Sequence, residues 1–140
     1  MFIPCKYPAR NTRSLVLSPK KALLRNWEPH WGYKEVSDRK ISTINVDWFG
    51  WNTDMNCNLV SNTPSNFKAP HLGFDHHCIY INGRHRLLWL IQNGFELLPV
   101  FIRKDYIDEA TALGLVERHI SYGAPVRLPI VSWQDVSPTR

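Results

Sequence analysis

The stretch His77-Cys78-Ile79-Tyr80-Ile81-Asn82-Gly83-Arg84-His85-Arg86-Leu87-Leu88-Trp89-Leu90-Ile91-Gln92-Asn93-Gly94 switches from strand to helix periodicity at Asn82-Gly83. Residues 77–81 read as a strand, Asn82-Gly83 turns the chain, and Arg84 to Asn93 form a helix closed by Gly94. Glu96 to Ile102 give a second strand despite Pro99, which places position 99 at a sheet edge or a strand start. This strand–helix–strand order fits one right-handed crossover between parallel neighbouring strands.

On a helical projection Leu87, Leu88, Leu90 and Ile91 form one broad apolar face that must pack on the sheet. Gln92 and Asn93 lie opposite. Arg84 stands at the N-terminal end of the apolar stripe, and Arg86 borders the polar side. Trp89 falls outside the main face, which suits contact with another element, a base or a partner.

Cations at a helix start oppose the helix dipole, at roughly 0.3–1 kcal/mol each when exposed. Arg84, His85 and Arg86 all occupy this position. An anion seated there reverses the sign, because it meets backbone N–H groups and guanidinium donors together. Gly83 permits a tight turn and close approach of a ligand, and arginine grips two phosphate or carboxylate oxygens at once. Asn82, Gly83, Arg84, His85 and Arg86 are therefore the candidate anion-binding residues. The competing reading pairs Arg84 with Asp75, Asp105 or another carboxylate and leaves it only to hold the loop.

Working outward, residues 1–14 read as an extended arm, and Ser18 to Trp27 as a short helix with Ser18 as cap and Pro19 at the first helical position. The alternation from Ile41 to Phe49 predicts a half-buried strand. Residues 50–75, rich in Asn, Ser, Pro, Gly and Asp, predict a long loop with a short strand near Cys57–Val60. Asp105 is placed to cap a helix over Tyr106–Leu113 that Gly114 ends, and the tail from Ala124 to Trp133 adds a short strand or extended arm. The fold class expected is α+β, a small mixed α/β domain whose mixed sheet is packed by short helices. Residues 1–40 are expected as a basic segment packing on or extending a domain formed by residues 41–140.

The chain's 140 residues suffice to bury a core, and 44% apolar with 21% charged residues is the composition of a folded, soluble chain. No stretch is long enough to span a membrane, so membrane insertion is not expected. Pro4, Lys6 and Pro8 interrupt any secretory core at the start, and three cysteines are too few for a disulfide framework; a cytoplasmic location is expected. Residues 1–40 hold nine Lys or Arg against three acids, whereas the remainder holds eight against nine. That asymmetry suits a polyanion or an acidic protein surface, and equally a solvated basic face. Lys20, Lys21 and Arg25, with Trp27 and Trp31 beside them and Trp89 beyond, are the candidate nucleic-acid or partner contacts. Such aromatics can equally form a protein-binding patch or a core; Trp48 in the alternating stretch reads as core, and Trp27 and Trp31 as the better interface candidates.

His71, Asp75, His76, His77, Cys78 and His85 raise the question of a metal. His76 and Cys78 share a strand face if the strand includes both, with His71 folding in, yet the spacing matches no strong zinc motif. For phosphoester or ATP hydrolysis, Arg84 and Arg86 would stabilise phosphoryl oxygens and His85 would move a proton. Asp75 and Asp47 would orient water or hold a divalent ion such as Mg²⁺. Catalytic candidates are thus His85, Asp75 and Arg86; no Walker loop or covalent triad is present.

The run from Ile79 to Leu88, followed by Asn93-Gly94 and Leu98-Pro99-Val100-Phe101-Ile102, resembles the core signature of the ParB/sulfiredoxin-like superfamily, and most closely its plasmid fertility-inhibition (Osa-like) branch. The resemblance covers roughly residues 41–115, with its specific part in 79–102. It implies a ParB/sulfiredoxin-like fold in which Gly83, Arg84, His85 and Arg86 hold nucleotide phosphates, ATP or another nucleotide. Sulfiredoxin-type members carry their catalytic cysteine where this chain has Arg84, so cysteine-sulfinate repair is not expected. The chain ends before the helix-turn-helix module of chromosome-partition members, so partition-site binding is not expected either. The fertility-inhibition branch implies DNA or nucleotide partners, a conjugation or secretion protein as target, and ATPase or DNase activity. The alternative is a non-catalytic protein-binding inhibitor or immunity-type protein on the same fold.

Overall fold

Strand β7 (Leu97–Arg103) buries Leu98 to Ile102 without a break and forms the centre of the sheet. The computed structural model describes residues 1–6 and 12–136. The other elements are β1 (Phe2–Pro4), β2 (Arg13–Pro19), α1 (Lys20–Trp27), α2 (Trp31–Val36), β3 (Phe49–Thr53), β4 (Leu59–Phe67), β5 (His71–Asp75), β6 (Cys78–Asn82), α3 (Arg84–Gln92), α4 (Ile107–Ala112), β8 (Arg118–Ile120) and β9 (Pro125–Arg127). The arm expected over residues 1–14 thus holds β1 and the start of β2, and its residues 7–11 lie outside the described residues.

The five-stranded sheet has the order β6-β5-β7-β2-β8. Strand β7 runs parallel to β5 and antiparallel to β2; β6 and β8 are antiparallel to their neighbours. The mixed α/β class agrees with the expectation, but the expected crossover does not. Strand β5 lies between β6 and β7, so α3 joins two strands that run oppositely and do not pair.

Pro99 is also inside the sheet, buried and opposite Leu17. Phe101 N–H donates to the Pro70 carbonyl on the β5 side at 2.9 Å. By strand alternation position 99 faces the same side, where β5 has not yet begun, so no ladder bond is lost.

The N-terminal segment contributes a strand and a helix to the sheet and its core. Strand β2 sits between β7 and β8, and Leu15, Val16, Leu23 and Trp27 belong to the core. Pro19, expected one position later, is itself the helix N-cap residue, and Ser18 is the buried penultimate residue of β2 rather than the cap.

A second group of strands joins the ends of the chain to its middle. Strand β1 pairs with β9, β3 pairs with β4, and a parallel bridge from Cys5 to Phe67 connects the two. The strand expected over Ile41–Phe49 is instead irregular chain followed by a 3-10 turn over Val46–Trp48. Asn45 Oδ1 accepts the Asp47 N–H at 2.8 Å, a local bond that outcompetes the alternating pattern. The loop expected over 50–75 holds β3, β4 and β5, with Asp54 accepting N–H groups of Asn56 and Asn58 at the hairpin turn. Its polar composition reflects exposure of the hairpin rather than absence of pairing. Asp105 pairs with Arg103 at 2.9 Å and does not cap α4, whose N-cap is Tyr106. The tail does supply β9. No helix among the described residues is long and apolar enough to cross a membrane.

Candidate functional site

Helix α3 starts from Gly83 in the left-handed region at φ +95°, with no side-chain cap. The first intrahelical bond is Leu87 N–H to Gly83 O at 3.1 Å, which leaves the N–H groups of Arg84, His85 and Arg86 outside the helical ladder. The first turn holds no acid to meet them. A Cβ at position 83 would collide with the Arg86 guanidinium, so glycine here serves both the turn and the arginine that folds across it.

The side chains of the motif diverge. Arg84 Nη1 donates to Gly32 O at 3.1 Å and to Glu35 Oε1 at 3.2 Å, tying α3 to α2. Arg86 Nη1 donates to Lys68 O at 2.7 Å. His85 Nε2 accepts from Arg39 Nη1 at 3.0 Å, which places its proton on Nδ1. Burial, then Arg39 and Arg84, lower the His85 pKa, so the ring is a neutral acceptor. The carboxylate partner expected for Arg84 exists, but it is Glu35 rather than Asp75 or Asp105.

Asp75 ends β5 and meets His30, which sequence reasoning passed over. The Gly32 N–H donates to His30 Nδ1 at 2.9 Å, so the imidazole proton sits on Nε2 and points at Asp75 Oδ2, 3.1 Å away. His30 thereby caps α2 and orients the carboxylate together. A cleft of about 270 Å³ is bounded by His30, Trp31, Asp75, Tyr80 and Arg84. His85 lines a different groove of about 570 Å³ with Lys40, Ser42, Thr43, Asn45 and Trp48. Asp75 and Arg84 line the same cleft, whereas His85 lines a separate groove. Asn82 opens onto a third cleft, on the sheet face shared with His71.

The candidate contacts divide by burial. Lys21, Arg25 and Trp31 are exposed, while Lys20 pairs with Glu96 at 3.1 Å. Trp27 is fully buried, packed edge-on against Tyr33, and cannot reach a partner. Trp89 is buried too, with its ring centroid 5.3 Å from Trp48 and 6.3 Å from Phe67. Its off-face position points to a second packed layer, formed by the β3–β4 hairpin, rather than to solvent.

No group of three or more His, Cys, Asp or Glu among the described residues is placed to hold a metal. The reason is in the register: His71 pairs with Asn82 and Asp75 with Cys78, at opposite ends of the β5–β6 hairpin, while His76 and His77 occupy its turn. Cys5 is buried with its thiol pushed up to about 12, which leaves it without thiolate character. No protein-family model, curated protein or solved structure matches this chain.

Proposed function

We propose that this protein is a nucleotide- and DNA-associated plasmid fertility-inhibition factor that blocks conjugative transfer, holding phosphate at the start of α3. The observation that carries this reading is the uncapped α3 start, with three N–H groups beyond the ladder, no acid in the first turn, and Arg39, Arg84 and His85 around it. The resemblance of residues 79–102 to the ParB/sulfiredoxin-like signature supports nucleotide phosphate as the anion. Trp31 and Tyr80, exposed beside Arg84, offer rings on which a base stacks. Lys21 and Arg25 add exposed charge for a nucleic-acid backbone or an acidic face of a conjugation or secretion protein. Magnesium would arrive with the nucleotide, held mainly by its phosphates.

A second reading, binding without turnover, is favoured by one specific observation. Asp75 and His85 line different clefts, and Arg86 is turned onto the Lys68 carbonyl. ATPase or DNase chemistry would need these groups to converge on one phosphoryl centre.

The test is binding of ATP and of a labelled oligonucleotide by the intact chain and by Arg84→Gln, at two salt concentrations, alongside a conjugative-transfer assay. Binding that weakens with salt and with Arg84→Gln, together with relief of transfer inhibition, is expected. Unchanged binding by a folded Arg84→Gln variant refutes the site. Unchanged transfer inhibition despite lost binding selects the protein-binding inhibitor.

A further inference from the structure

The five-stranded sheet carries a second cationic cleft, away from the α3 start. Arg13 of β2 and Arg103 of β7 are register partners, directly opposite across an antiparallel pair. Like charges in that position repel, and their strands bring them to the same sheet face. His71 and Asn82 are likewise register partners on β5 and β6, and Tyr80 lies two residues from Asn82 on its face. Gly73 pairs with Tyr80, and a Cβ at Gly73 would strike the phenol ring, so the missing side chain lets Tyr80 lie across β5.

We propose that the cleft of about 150 Å³ bounded by Arg13, Arg103, His71, Asn82, Tyr80 and Tyr106 binds a phosphate group, either inorganic phosphate or the terminal group of a small phosphoester. Guanidinium, amide and phenol groups from three strands line it, which suits a tetrahedral oxyanion better than a planar carboxylate. The volume admits a phosphate with its first ester atoms and excludes a whole nucleotide. Asp105 pairs with Arg103 at 2.9 Å, and the Arg103 guanidinium lies 5.3 Å from the centre of the Tyr106 ring. The field of Arg13 and Arg86 is already felt at His71, whose pKa is lowered by burial and then by these two cations to about 4.

The site is tested by titrating the isotope-labelled full chain with inorganic phosphate and, separately, glycerol phosphate, following backbone amide shifts. Saturable shifts at Gly73, Asn82 and Arg103 are expected. Tighter binding of glycerol phosphate would identify a phosphoester, and equal binding would identify phosphate itself. Arg103→Gln should weaken the affinity by about tenfold, the loss of one charged hydrogen bond. Lys104→Gln, which removes an equal charge from the neighbouring exposed residue, should change it by less than about twofold. Gly73→Ala, which displaces the Tyr80 ring and leaves every charge in place, should weaken binding as well. Shifts confined to Arg84–Arg86, equal effects of Arg103→Gln and Lys104→Gln, or no saturable shift would overturn the proposal. Should Arg103→Gln fail to fold, Tyr80→Phe at the exposed edge strand gives the same reading through loss of the phenol donor.

Discussion

His30 and Asp75, distant in sequence, are joined by a hydrogen bond of 3.1 Å whose direction is set by a backbone group: the Gly32 N–H occupies His30 Nδ1 and leaves Nε2–H for the carboxylate. One side chain caps α2 and links it to the end of β5. Replacing His30 with Ala removes both bonds and leaves a void beside Tyr80. A loss of about 2 kcal/mol in urea denaturation is expected. His30→Asn, which can still cap the helix, should recover roughly half of it; equal losses for the two variants would remove the cap from the account.

The histidines predict a pH dependence. Burial first, then Arg13 and Arg86, lower the His71 pKa in the fold to about 4 from the ordinary 6.5, so between these two values the unfolded chain binds more protons than the folded one. Stability therefore falls as pH drops from 6.5 toward 4, and the full contribution is present above 6.5. His85 shifts in the same direction and adds to the slope. His71→Phe should flatten the stability profile across that window, by up to about 3 kcal/mol between its ends. An unchanged profile in urea titrations at stepped pH would show that His71 is not the group responsible.

Burial separates two tryptophans that look alike in composition. Trp89→Ala should cost about 3–5 kcal/mol, because the indole packs between Trp48 and Phe67. Trp31→Ala, at a residue 65% exposed, should stay within about 0.5 kcal/mol while weakening oligonucleotide binding. Thermal melts and fluorescence quenching by oligonucleotide distinguish the pair.

Gly83→Ala tests the left-handed turn. The added Cβ meets strain at φ +95° and the Arg86 guanidinium together. About 1–3 kcal/mol of stability should be lost, and the α3 start should lose anion affinity. A neutral effect in both measurements would show that the turn relaxes to another conformation.

The local features at residues 77–94 were legible because their physics is local. Alternation over Ile79–Ile81, a glycine at the turn, four leucines and isoleucines at helical spacing and Gly94 at φ +85° all act within a few residues. The β3–β4 hairpin was not legible, since its pairing depends on partners across the hairpin and its exposed surface allows polar residues. The alternation over Ile41–Phe49 misled for the opposite reason: Asn45 captured the backbone locally where the pattern alone promised a strand.

The candidate site divides in the same way. The sequence by itself determined that Arg84, His85 and Arg86 gather at a helix start behind a glycine, because helix geometry places them there. Only the tertiary structure decided where their side chains go: Arg84 to Gly32 and Glu35, His85 to Arg39, and Arg86 to the Lys68 carbonyl. Those partners lie on α2, the chain that follows it and the β4–β5 link. Long side chains with several donors choose among acceptors that only packing brings within reach.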